Sequence, residues 1–322
     1  MPLGEFDLIG RYFNRQQNQP GLAVGIGDDA AVVDIPADHQ LVVTADTLVA
    51  GVHFPEQTSS EDIGYKSLAV NLSDLAAMGA VPRWYTLALT MPEANDAWLS
   101  GFSAGLAQLE TDASVVLIGG DTTRGPLAIG IQAMGLVRRG AAVRRAGAKV
   151  GDDVYVTGAL GDAALGLKYL QGDVPGAMFA DAAIARCIER LNRPQPRNVA
   201  GRSLAPFVNA MIDCSDGFAA DLGHILTASD CGAEIELARL PLSTAGRRWV
   251  DVRDWHLAFA GGDDYELIFT AAPAQRDVIN GIADNLDCPI TPVGRIMAGN
   301  GMILKQHDGS IFDFAPRGYT HF

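Results

Sequence analysis

Five short apolar runs in this chain stop in the same way, on a glycine or other small residue followed at once by aspartate. They are LAVGIG before Asp28 and Asp29, LVVTA before Asp46, SVVLIGG before Asp121, NAMI before Asp213 with Asp216 close behind, and LAFAGG before Asp263 and Asp264. A β-branched run bounded by Gly and Asp reads as a strand leaving a sheet. The chain must therefore build sheets whose ends carry carboxylates. Strand patterns cover Leu22–Ile26, Gln40–Ala45, Trp84–Thr90, Ser114–Ile118, Ala128–Val137, Asp153–Thr157, Ala210–Ile212, Ala233–Leu237, Leu257–Ala260, Tyr265–Thr270 and Ile290–Ile296. Helical periodicity covers Ser60–Met78, Asp96–Glu110, Asp162–Leu170, Phe179–Leu191 and Asp216–Ala228. Alternation of the two is the pattern of a mixed α/β (α+β) protein.

A chain of 322 residues holds two domains at roughly 150 residues each. The basic, glycine-containing stretch Arg138–Gly151 precedes a fresh strand, which places the expected boundary between 1–140 and 141–322. With 24 Lys and Arg against 38 Asp and Glu the formal charge is −14, so nucleic acid and anionic lipid are not expected as partners. No apolar run approaches the roughly 18 residues of a membrane helix, and Met1–Ile9 lacks the basic and apolar parts of a signal peptide. A cytoplasmic protein is expected. Cys187, Cys214, Cys231 and Cys288 are far apart with no CxxC pair, which predicts reduced thiols.

Carboxylates gathered at strand ends repel one another unless a cation intervenes. An all-oxygen set without a His or Cys cluster suits a hard cation, Mg²⁺ above all, which completes its shell with water and substrate phosphates. Asx turns and helix caps would place any one of these aspartates without a ligand; the repetition favours convergence. Within Ser60–Met78, Ser67, Asn71 and Asp74 form a polar stripe hemmed by Ile63, Val70, Leu68, Leu72 and Leu75. Its partner is either neighbouring backbone or a bound metal or phosphate. Gly119–Gly125 (GGDTTRG) offers backbone N–H groups, hydroxyls and one cation beside a carboxylate, a loop suited to a metal-bridged nucleotide phosphate. Arg138, Arg139, Arg144 and Arg145 are the one dense positive run, either a solvated linker or a source of an arginine for phosphate.

Gly25–Ala30 formally matches the dinucleotide fingerprint GxGxxG/A, yet acids stand where the pyrophosphate would lie. Walker, protein-kinase and GxSxG signatures are absent. The tryptophans, Trp84, Trp98 and Trp255 among them, read as core.

Together the motifs GIGDDAAV (25–32), TADTLVAGVHF (44–54), KSLAVNLSDLAAMGA (66–80), IGGDTTRG (118–125), RRAGAKVGDDVYVTG (144–158), IDCSDG (212–217), GGDDYEL (261–267) and RGYTHF (317–322) resemble the bacterial thiamine-monophosphate kinases. The resemblance runs in order from Gly4 to Phe322. It implies two mixed α/β domains of the aminoimidazole ribonucleotide synthetase-like type, the first binding ATP and Mg²⁺ and making a homodimer. It implies ATP and several Mg²⁺ ions, with thiamine monophosphate accepting the γ-phosphoryl to give thiamine diphosphate and ADP. Asp29, Thr44, Asp46, Asp74, Asp121, Asp213 and Asp216 match the family's magnesium ligands, with Ala45 offering a backbone oxygen. Gly120, Asp121, Arg145 and Ser215 match its ATP contacts, and His53, Asp263 and Tyr319 its substrate contacts. Ala45 replaces a hydroxyl residue common in the family, and Asp263 replaces the usual Glu.

The chemistry is coherent without the family. A phosphate monoester, with a second pKa of about 6, is already a nucleophile near neutral pH, so no residue is expected as general base. The metal cage and Arg145 would carry the transfer by cancelling charge and aligning the reactants. The readings set against this one are another ATP-dependent phosphotransferase or synthetase of the same superfamily, a dinucleotide-dependent oxidoreductase, and an acidic metal-binding protein without turnover.

Overall fold

The computed structural model describes residues 5–15, 19–175, 178–286 and 288–313. It divides into two compact units, Met1–Leu75 with Ala80–Gly140, and Ala76–Gly79 with Ala141–Phe322.

In the first unit, α1 (Glu5–Leu8) runs into one π-helical turn, Ile9–Phe13, and β1 (Leu22–Val24) pairs with β2 (Val32–Val33). A four-stranded sheet follows, with β3 (His39–Val49), β4 (Val81–Met91), β5 (Val116–Arg124) and β6 (Ala128–Arg138) in the order β3-β6-β4-β5. Only β4 and β5 are parallel. Helices α2 (Ser60–Ala77) and α3 (Asp96–Ala113) accompany it. Asn95 caps α3, its side-chain oxygen accepting the Trp98 N–H at 2.9 Å. Close helix contact is made possible by glycines: a Cβ on Gly64 would stand 2.1 Å from the Phe102 carbonyl oxygen, and one on Gly105 would stand 1.9 Å from that of Glu61.

The second unit is built on a seven-stranded sheet, ordered β13-β12-β9-β11-β7-β10-β8. Its strands are β7 (Asp153–Thr157), β8 (Ala210–Asp213), β9 (Gly232–Glu236), β10 (Leu267–Ala271), β11 (Ile290–Met297), β12 (Gly301–Lys305) and β13 (Ile311–Phe312). Its helices are α4 (Asp162–Leu170), α5 (Asp181–Asn192), α6 (Asn198–Leu204), α7 (Phe218–Ser229), α8 (Thr244–Val252), α9 (His256–Ala260) and α10 (Arg276–Asn285). β7, β8 and β10 are buried throughout, so they read as continuous apolar runs rather than alternating ones. Val154, Val156, Ile212, Phe218, Phe259 and Ile268 form the centre of the core.

The mixed α/β reading holds. One strand pattern does not: Leu257–Ala260 lies in helix α9, because a four-residue apolar run carries no period of its own and Leu257, Ala258 and Phe259 are buried on packing rather than on a sheet. The four cysteines are free thiols, all buried. Trp84 and Trp249 are core residues, and Trp98 stacks on Phe102 with ring centroids 5.0 Å apart. Among the described residues, no helix is long and apolar enough to cross a membrane.

Candidate nucleotide and metal site

Two of the expected strand-end aspartates are not at strand ends. Asp46 lies inside β3, opposite Ile131, and Asp121 lies inside β5, opposite Ala88. The strands run on because their partners do: β3 and β6 pair in unbroken register from His39 against Arg138 to Val49 against Ala128. Gly119 and Gly120, which read as part of a loop, instead continue β5 after a register shift. Gly120 is there for clearance, since a Cβ would fall 1.9 Å from the Leu87 carbonyl oxygen.

In the first unit a cavity of about 730 Å³ opens between the Gly27-Asp28-Asp29 loop and the Gly119-Gly120-Asp121-Thr122 segment. That volume suits a nucleotide-sized ligand. Asp28, Asp29 and Asp121 are exposed, so their charge is available to a ligand. No helix follows Gly27; the chain turns and enters β2, which removes the geometry a dinucleotide fingerprint requires. The opposite wall is Ile9, Gly10, Phe13 and Asn14, a segment with no motif in the sequence. It is anchored by Arg15, which pairs with buried Glu110 and donates to the Ser103 carbonyl oxygen at 2.6 Å. The Tyr85 hydroxyl donates to the other Glu110 oxygen at 2.7 Å.

The polar stripe of α2 is buried at Ser67 and Asn71, half-buried at Asp74, and turned onto β3. Ser67 and Asn71 are fully buried. Ser67 donates to the Ile63 carbonyl at 2.7 Å and the Asn71 amide nitrogen donates to the Ser67 carbonyl at 3.0 Å, so part of the stripe is satisfied by neighbouring backbone. The rest reaches the sheet: the Asn71 oxygen accepts the Asp46 N–H at 3.1 Å, and Thr44 donates its hydroxyl proton to Asp74. Thr44, Asp46 and Asp74 are thereby brought together. Ala45, one residue out of phase, presents its side chain to the other face of the strand and is exposed. His53 closes the turn after β3, its Nδ1 accepting the Val49 N–H at 3.0 Å.

In the second unit Asp213 ends β8, and Ser215 and Asp216 follow in the turn before α7. Asp221, not singled out by the sequence, holds that turn: one carboxylate oxygen accepts the Asp216 and Gly217 N–H groups at 3.0 and 3.1 Å. Burial and the Asp216 charge push the Asp221 carboxyl up to about 7, with the two N–H bonds and the Arg145 charge pulling the other way. Arg145 is therefore within electrostatic reach of this turn, although it is itself exposed. Gly217 has φ +109 and packs so closely that a Cβ would lie 2.7 Å from the Phe259 carbonyl oxygen. The segment carrying Asp263 runs alongside, the Asp263 N–H donating to the Ser215 carbonyl at 2.8 Å. Tyr319 lies outside the described residues.

Among the described residues no three acidic, histidine or cysteine side chains converge closely enough to enclose a metal by themselves. Pairs and single carboxylates with open positions are what Mg²⁺ takes when water and phosphate supply the remaining oxygens.

Residues 27–137 match the family AIR synthase related protein, N-terminal domain, and residues 149–306 match AIR synthase related protein, C-terminal domain. The chain is 46% identical over 326 residues to the thiamine-monophosphate kinase of Escherichia coli (strain K12), covering 100% of this chain and 99% of that one. It superposes on the crystal structure of thiamine-monophosphate kinase from Stenotrophomonas maltophilia K279a with a TM-score of 0.87 and 48% identity, over 97% of this chain and 99% of that one. AaThiL complexed with AMPPCP and TMP gives a TM-score of 0.76 at 29% identity, over 100% and 99% of the two chains. The chain belongs to the thiamine-monophosphate kinase family.

Proposed function

We propose that this chain transfers the γ-phosphoryl group of ATP to the phosphate of thiamine monophosphate, releasing ADP and thiamine diphosphate. Full-length identity to the kinase of Escherichia coli carries the reading, and the cavity that joins the two glycine-aspartate segments of the first unit supports it. The donor contacts are Gly120, Asp121, Arg145 and Ser215. The acceptor contacts are His53, Asp263 and Tyr319, with Asp263 reaching one methylene less far than a glutamate.

Thr44, Asp46 and Asp74, with Asp29, Asp121, Asp213, Asp216 and the Ala45 backbone oxygen, are the groups that would hold Mg²⁺. The donor set fits a hard cation, being oxygen throughout, and when bound the ion supplies neutralisation of the phosphate charges. An acceptor phosphate oxygen attacks the γ-phosphorus, the bond from that phosphorus to the β-phosphate oxygen breaks, and the electron pair leaves with ADP. The acceptor enters as its dianion, so no side chain need remove a proton. Arg145, a guanidinium, would offset charge beside the Asp213–Gly217 turn, whose Asp221 its charge reaches.

A homodimer is part of the same reading. β3 is an edge strand of its sheet, and Leu41 and Val43 on it are 36% and 50% exposed, a surface suited to a second copy. The deciding experiment is product identification after incubation with ATP, Mg²⁺ and thiamine monophosphate. ADP and thiamine diphosphate in equal amounts are expected; ADP and inorganic phosphate with the vitamin phosphate unchanged would reject the reading.

A further inference from the structure

Segment 262–266 alternates strictly. Gly262, Asp264 and Glu266 are buried while Asp263 and Tyr265 are half-buried, so acids adjacent in sequence differ in burial. Asp263 and Tyr265 both hold left-handed backbone, with φ 61° and 50°, a conformation that non-glycine residues keep only where the surroundings impose it. Those surroundings are visible. Both oxygens of Asp264 accept the Gly161 N–H at 2.9 Å. Glu266 is fully buried and accepts from Thr157 at 2.7 Å, from Arg190 at 2.7 Å, and from Arg197 at 2.7 and 2.6 Å. Arg190 also donates to the Asp264 carbonyl oxygen at 3.3 Å.

Held in this way, the segment is stitched to the turn after β8 by three backbone bonds. The Cys214 N–H donates to the Glu266 carbonyl at 2.7 Å, the Tyr265 N–H to the Cys214 carbonyl at 2.8 Å, and the Asp263 N–H to the Ser215 carbonyl at 2.8 Å. Gly262 permits the approach, since a Cβ there would lie 2.7 Å from the Ser215 carbonyl oxygen.

We infer that Asp264 and Glu266, with Arg190 and Arg197, are positioning residues that fix Asp263 relative to Ser215, and so fix the phosphoryl acceptor relative to the donor nucleotide. This rests on the assignment of Asp263 to the acceptor and Ser215 to ATP made above. Asp264 is buried and committed to the Gly161 N–H, so its effect on the reactants would pass through the three backbone bonds. Small displacements of one reactant against the other are costly to rate.

The test compares Asp264→Ala with Asp264→Asn, which keeps an oxygen for the Gly161 N–H, by hydrogen exchange and steady-state kinetics. In Asp264→Ala the Cys214, Asp263 and Tyr265 amides are expected to exchange faster. The Asp216 and Gly217 amides, held independently by Asp221, should not. kcat is expected to fall and the KM for thiamine monophosphate to rise by about tenfold each, with Mg·ADP affinity within about twofold of the parent and Asp264→Asn recovering most of the loss. Should Asp264→Ala not fold, Arg197→Lys, which keeps charge but loses the two-pronged grip on Glu266, is expected to loosen the same three amides. Unchanged exchange at those amides in a folded variant would overturn the inference, as would loosening of all five amides with parallel loss of Mg·ADP. Absence of turnover in the unmutated chain would reject the kinase reading, and the amide pattern would still decide whether the stitch exists.

Discussion

Asp28, Asp29 and Asp121 in the first unit stand exposed around a cavity; Asp221, Asp264 and Glu266 in the second are buried and committed to backbone N–H groups or to arginines. The same side-chain chemistry therefore does two jobs. An exposed carboxylate keeps open coordination positions and is usable by a ligand. A buried one must be satisfied from within, and what it gains is a fixed backbone. In the second unit two adjacent acids differ by degree, Asp263 being half-buried and Asp264 buried.

The sharpest way to break that contrast is to neutralise one acid of each kind. Asp46→Asn or Asp121→Asn is expected to lower turnover by about a thousandfold while moving the melting temperature by no more than about 2 °C, read by kinetics and thermal denaturation on the same sample. Near-normal rates at limiting Mg²⁺ would place these residues outside the site. Glu266→Ala is expected to act on stability first, lowering unfolding free energy by about 3–5 kcal/mol because two arginines lose their shared partner, with any loss of rate following from the loosened segment; a denaturant titration measures the stability.

Much of this was legible in the sequence. The glycine-aspartate runs locate Asp29, Asp46, Asp121, Asp213 and Asp263, and the stripe of α2 locates Asn71 and Asp74, because both signals are local periodicities. The strand-end placement of Asp46 and Asp121 failed because strand length is set by the partner strand rather than by the glycines that precede the acid. Glu266 lay unseen beside the quoted acids, since its partners Arg190 and Arg197 are 76 and 69 residues away in the chain and no local pattern announces a distant arginine. Asp221 had a readable signal, an acid in the first turn of a helix reaching back to the residues before it. The Ile9–Asn14 wall of the cavity has none, being defined by tertiary packing through Arg15 and Glu110.

Smaller effects sharpen the comparison. Gly105→Ala would drive a methyl toward the Glu61 carbonyl oxygen, 1.9 Å from its ideal position. A loss of about 1–3 kcal/mol is expected, with a measurable drop in turnover because α2 carries Asn71 and Asp74; a loss of stability without any change in rate would separate the helix crossing from the site. Asn71→Ala removes the acceptor of the Asp46 N–H and should cost about 1–2 kcal/mol, with a larger effect on KM for ATP than on that for the acceptor.

The smallest expected effect concerns Asp162, whose carboxyl is raised above the usual range by burial, against the opposing hydrogen bond from Ser243. Its folded pKa is above its unfolded value of about 3.9, so its favourable contribution is complete below that pH and is lost as pH rises through the folded value. Unfolding free energies measured upward from about pH 4 should turn progressively in favour of Asp162→Asn over the parent; parallel curves would contradict the assignment.

The exposed acids of the first unit are proposed to bind nucleotide phosphate only together with a hard cation. Calorimetric titration of the whole chain with a non-hydrolysable ATP analogue, with Mg²⁺ and then with excess chelator, tests it most directly. Saturable binding is expected with Mg²⁺, disappearing in chelator and in Asp121→Asn; equal affinity with and without the cation would contradict it.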